Sequence, residues 1–148
     1  LRMIGGGELE SEIKAKIKEM NLEKSIELTG FVPTNEKMRQ LLLEGTIAVA
    51  PYVDDETTFT RYTDPGKPKE YLAAGLPVII TRVPKFADTI AKQKAGIAIN
   101  YNKDELAEAI INLLNNKELP SYQNNALELS TKYHWNKIFD SAIDQMQS

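Results

Sequence analysis

Three features of the sequence predict an α/β fold, a three-layer αβα domain with a parallel sheet. Short apolar runs rich in β-branched or small residues recur along the chain, at residues 26–29, 47–51, 78–80 and 96–100. Stretches with apolar residues at helical spacing separate them. Strand and helix therefore alternate, and that order demands parallel pairing, right-handed crossovers and helices on both faces of the sheet. The length, 148 residues with 42% apolar content, suits one domain with a substantial core.

Residues 1–4 read as a short first strand. Gly5-Gly6-Gly7 turns into a helix from about Glu8 to Met20, with Leu9, Ile13, Ile17 and Met20 along one face. A glycine-rich strand-to-helix turn can cradle phosphate. Here Glu10 stands where the dinucleotide fingerprint needs its third glycine, and Glu8, Glu10 and Glu12 oppose an anion, so a plain tight turn is expected. Ile26-Glu27-Leu28-Thr29 forms the next strand, and Gly30-Phe31-Val32-Pro33 leads to a helix capped by Thr34 or Asn35 that runs to about Leu43.

The strand over residues 47–51 ends at Pro51, and a long polar loop over residues 52–63 follows it. Long loops at the carboxyl ends of parallel strands commonly carry function. Asp54-Asp55 in this loop reads as an ordinary solvated pair rather than a metal site. Pro65 and Pro68 mark the entrance of a helix. Lys67 precedes a proline and is pushed from the α region, so regular helix is expected from Pro68 onward, with Glu70 in its first turn. Gly75 suits the left-handed residue past the helix end, Pro77 blocks a restart, and Val78-Ile79-Ile80 is a strand covered on both faces. A short helix over residues 86–92 and a last strand over 96–100 come next. Lys103-Asp104-Glu105 opens a helix with Leu106, Ala109, Ile110, Leu113 and Leu114 on one face. Ser121 is expected to cap a further helix to about Thr131, and Trp135, Ile138, Phe139, Ile143 and Met146 mark a terminal amphipathic helix. For His134 and Trp135, core or surface packing is expected rather than chemistry.

From Pro65 to Ile79 the chain reads P-x-K-x-x-E-Y-L-A-A-G-L-P-V-I. This resembles the donor-site signature of GT-B glycosyltransferases, especially the large retaining group called family 4. The resemblance implies a Rossmann-like domain, the carboxy-terminal half of a GT-B enzyme with its first strand missing. It covers nearly the whole chain and begins at the family's second strand of that half. It implies that Glu70 binds the ribose hydroxyls of a nucleotide-sugar, and that the helix start with Gly66 and Lys67 faces the diphosphate. Phe31 and Val32 inherit a place facing the base, although for the Phe31 ring packing of the strand-to-helix loop is expected. The family's pattern is Glu, seven residues, Glu, and this chain departs from it, with Tyr62 in the first position. Arg61, Tyr62, Thr63 and Asp64 are the candidates to contact the sugar or the diphosphate, and Lys67 or Arg61 would offset the charge of the leaving group. No residue reads as a general base.

Composition narrows the remaining choices. A net charge of −3 argues against broad nucleic-acid binding, and no apolar run reaches the length of a membrane span. There is no cysteine, which excludes disulfides and thiolate metal sites and fits a cytoplasmic protein, and His134 is the single histidine. The chain starts at Leu1 without a signal peptide and reads as a fragment of a longer protein. The expected partners are a nucleotide-sugar donor as substrate and a missing amino-terminal acceptor domain, with no nucleic acid, metal or cofactor. A full-length enzyme is open to peripheral membrane association, and the isolated fragment is expected to be inactive in hexosyl transfer for glycan or polysaccharide synthesis. Two other readings stay open, a sugar-nucleotide epimerase of the same fold and a non-enzymatic regulatory or scaffold domain. A receiver-like regulator would carry an Asp at the end of its central strand, where this chain has Ala50-Pro51.

Overall fold

The computed structural model describes residues 1–55 and 59–147. The chain divides into two units, Leu1–Leu41 and the remainder from Leu42, each with its own parallel sheet. In the first unit β1 (Arg2–Met3) pairs with β2 (Glu27–Leu28), with Arg2 opposite Glu27 and Met3 opposite Leu28. An ion pair between Arg2 Nε and Glu27 Oε2 at 2.7 Å joins the two strands. Helix α1 (Glu10–Glu19) lies between them in sequence. The glycine turn before α1 is a plain one. A side chain on Gly6 would meet Glu10 Oε2 at 3.2 Å, so a carboxylate stands beside the turn. The apolar face expected along α1 is partly covered: Ile13 and Ile17 are half-buried, while Leu9 is 60% and Met20 57% exposed. Thr34 caps α2 (Asn35–Leu43), its hydroxyl accepting from the Lys37 N–H at 3.2 Å.

The second unit is a three-layer sandwich. Its sheet has the order β3-β4-β5, formed by Ala48–Ala50, Val78–Thr81 and Gly96–Ile99, all parallel. The pleat of β4 divides the core. Val78 and Ile80 pack with Leu72, Phe86, Ile90, Ala126 and Leu129 on one face. Ile79 packs with Ile99, Ala109 and Leu113 on the other. Helices α3 (Gly66–Ala73), α4 (Phe86–Lys92) and α6 (Leu119–Ser130) thus supply the first layer, and α5 (Lys103–Leu114) the second. Every residue of β4 is buried, as its uninterrupted apolar run predicts.

Helix α5 is capped by Asn102, whose side chain accepts from the Asp104 and Glu105 N–H groups. Helix α6 departs from expectation. It starts at Leu119, two residues before Ser121, which lies in its first turn with its N–H bonded to the Glu118 carbonyl at 2.8 Å. Pro120 explains the earlier start, because a residue without an N–H loses nothing in a first turn. A 3-10 turn over Thr131–Tyr133 leads to α7 (Trp135–Gln147). The packing expected of Trp135 and the middle of the loop after β3 lie outside the described residues.

Candidate functional site

The β3–α3–β4 crossover joins parallel strands, so α3 runs back along the sheet and begins beyond the carboxyl ends of the strands. Its start differs from the expected one. Pro65 is the extended residue before the helix, with φ −74° and ψ 124°, and Gly66 is the first helical residue. Lys67 is helical despite preceding Pro68. Pro68 is only the third residue of the helix, where its N–H would have no partner in any case. The far end is a full Schellman motif. The Leu76 N–H donates to the Tyr71 carbonyl at 3.0 Å and the Gly75 N–H to the Leu72 carbonyl at 2.9 Å, with Gly75 at φ 75°.

The shifted start sets the helix faces. Pro68 and Leu72, four residues apart, are buried against the sheet. Gly66, Lys67 and Glu70 are exposed and fall together on another face, being three and four residues apart. Glu70 therefore lies in the second turn and not the first. A helix dipole acts mainly within the terminal turn, so complementing the dipole explains Glu70 less well than it would at the start. Neither Lys67 nor Glu70 makes an ion pair or side-chain hydrogen bond among the described residues. A side chain placed on Gly66 would meet nothing within 4 Å.

The residues leading into α3 are more engaged. Arg61 and Tyr62 belong to a 3-10 turn, Phe59–Tyr62. The Arg61 guanidinium pairs with Asp54, so its charge is already shared. Tyr62 is 81% exposed. The Thr63 hydroxyl donates to the Thr60 carbonyl at 2.8 Å and closes the turn. Asp64 pairs with Lys69, a residue that the sequence reading passed over. Lys69 Nζ also lies 4.8 Å from the ring centroid of Tyr133 and 5.8 Å from that of Phe86. These two rings meet edge to face at 5.3 Å. The only sequence signal for Lys69 is its position five residues after Asp64 at a helix start.

Behind this face the Thr81 hydroxyl donates to the Tyr52 carbonyl at 2.7 Å and ties the end of β4 to the loop after β3. Burial pushes the Tyr71 phenol above its ordinary pKa, and the Glu70 carboxylate adds to the shift. Burial raises Tyr133 in the same way, helped by Asp64, and it raises Tyr52, helped by Tyr71. At the end of β5 the Asn100 side chain and backbone N–H bond the Glu105 carboxylate and lower its pKa.

Phe31 and Val32 belong to the first unit, just after Gly30. Val32 is partly buried. The packing expected of Phe31 is overturned, because its ring is 82% exposed. Chemically, the exposed face of α3 offers two first-turn N–H groups, one ammonium and one carboxylate. Such a set can hold an anion and accept hydrogen bonds from a hydroxyl pair.

The family described as glycosyl transferases group 1 matches residues 1–116. No curated protein matches the chain by sequence. Among solved structures, WaaG, a glycosyltransferase involved in lipopolysaccharide biosynthesis, superposes with a TM-score of 0.70 at 19% identity, covering 88% of this chain and 33% of that one. Sucrose-phosphate synthase from Thermosynechococcus elongatus gives 0.77 at 18% identity, covering 99% of this chain and 37% of that one. TarM gives 0.74 at 22% identity, covering 99% and 28%. At these identities the likeness is one of fold, and the chain spans about a third of the length of each structure.

Proposed function

Because the chain belongs to the glycosyl transferases of group 1, we propose that it forms the donor-binding domain of a GT-B glycosyltransferase and holds a nucleoside-diphosphate sugar. The observation that carries this reading is the exposed face of α3, where Gly66, Lys67 and Glu70 stand together at the carboxyl end of the sheet. The first-turn N–H groups and the Lys67 ammonium meet the diphosphate and stabilise its charge as it leaves. Glu70 accepts hydrogen bonds from the ribose diol and orients the donor, a positioning role. The acceptor lies in a further domain, so the purified chain transfers no sugar. The whole enzyme acts in the cytoplasm, in glycan or polysaccharide synthesis, and needs no metal or cofactor. The solved relatives that support this reading include an enzyme of lipopolysaccharide biosynthesis.

Titration calorimetry with UDP and GDP tests the assignment. Charge-assisted hydrogen bonds contribute about 1.5–3 kcal/mol each. Glu70→Gln should therefore weaken the preferred diphosphate by about tenfold or more while leaving the melting temperature near wild type. Equal affinity of the two proteins would remove Glu70 from the ribose. No binding of either diphosphate by wild type would remove the donor reading itself.

A further inference from the structure

An acidic side chain two residues before α3 poses an electrostatic problem for any anionic ligand on that helix face. Asp64 is such a group, with 75% of its side chain exposed. Its carboxylate does not stand alone, because Lys69 reaches back from the next turn of α3 to pair with it. Lys69 is the more buried partner, with 21% of its side chain exposed. Its ammonium also rests on the rings of Tyr133 and Phe86. The edge-to-face contact of these rings fixes the platform on which it sits. A cation held by aromatic faces on one side and a carboxylate on the other has little freedom to follow a ligand.

We infer that Lys69 is a positioning residue of the donor site, which holds the Asp64 carboxylate on the Phe86–Tyr133 platform and neutralises it, so that a diphosphate can approach Gly66 and Lys67. This inference rests on the donor reading given above and assigns that site a residue which does not touch the ligand. It also gives Asp64 a structural partner in place of a sugar contact. Tyr133 belongs to the segment between α6 and α7, so the same contact ties the entry of α3 to the carboxy-terminal helices of the second unit.

The test separates charge from folding. UDP and uridine are titrated into wild type, Lys69→Met, Lys69→Arg and the double variant Lys69→Met/Asp64→Asn. An uncompensated carboxylate near a diphosphate should weaken UDP about three- to tenfold in Lys69→Met, with uridine affinity unchanged. Lys69→Arg should keep most of the UDP affinity, and Asp64→Asn in the Met background should restore it. Methionine keeps an apolar stem of similar length over the two rings. UDP affinity in Lys69→Met equal to wild type overturns the inference. So does a parallel loss of UDP and uridine that Asp64→Asn fails to rescue, which marks a merely structural lysine. Binding of neither UDP nor GDP by wild type overturns the donor reading and this inference together, an outcome distinct from the other two.

Discussion

Tyr71 stands next to Glu70 in sequence and turns the other way, half-buried against the core beneath α3. Burial, and then the Glu70 carboxylate, hold its phenol protonated to higher pH than in an unfolded chain. The folded state then binds more protons than the unfolded state once the pH passes the ordinary phenol value of about 10. The stabilisation is fully present below that value and is lost as the pH rises through the folded pKa. Thermal melts from about pH 8 to pH 11 should show a fall in stability that begins near pH 10. The fall should be shallower in Tyr71→Phe, and in Tyr133→Phe, where burial and Asp64 act in the same sense. A wild-type melting curve as steep as that of the two variants would show that these phenols do not drive it. Glu70 and Lys67 were legible in the sequence because a contiguous motif carries them. Lys69 was not, because its partners lie on both sides of it in the chain and Tyr133 is contributed by the distant segment after α6.

Strand β5 opens on Gly96, whose backbone lies directly against Val78 of β4. A methyl group built there would sit 2.0 Å from the Val78 carbonyl oxygen and 2.7 Å from its carbonyl carbon. Backbone in the middle of a parallel sheet cannot move aside as the end of a side chain can. Gly96→Ala should therefore cost at least about 1–3 kcal/mol, the usual penalty of overpacking. Gly7→Ala is the control, because a methyl group there meets nothing within 4 Å and should change stability by less than about 0.5 kcal/mol. Urea denaturation midpoints that do not separate the two variants would contradict this. The sequence marked Gly96 only as the start of a strand, since close approach of a second backbone leaves no local signature. Signals that are local succeeded. The short helix α4 begins and ends where it was expected, and Gly75 takes the left-handed conformation that ends α3. Two proline-bearing helix starts failed, at Gly66 and at Leu119, because each helix uses its proline inside the first turn rather than at the boundary.

Burial is distributed unevenly along the chain, and that has a consequence for how it opens. Among the described residues, every member of the hydrophobic core lies between Ala48 and Leu129, and no residue of Leu1–Leu41 is buried. The average composition concealed this, because Leu9, Ile13, Ile17 and Met20 have the spacing of a buried helix face while Leu9 and Met20 are in fact exposed. A two-stranded sheet whose apolar residues, Ile4, Ile26 and Leu28 among them, are no more than half-buried is marginal in water. The three-stranded sheet, by contrast, has apolar layers on both faces, and its central strand is buried throughout. Local openings should therefore require little free energy in the first unit and approach the global value in β4. Hydrogen exchange read by mass spectrometry should show the amides of Arg2–Met3 and Glu10–Glu19 exchanging well before those of Val78–Thr81. Mild urea should narrow the difference, because opening of the first unit exposes less apolar surface and depends weakly on denaturant, while opening of the second exposes much and its free energy falls steeply. Equal protection of the two sets of amides, moving together as urea rises, would mean that the chain opens as one cooperative unit and that the burial pattern does not govern its stability.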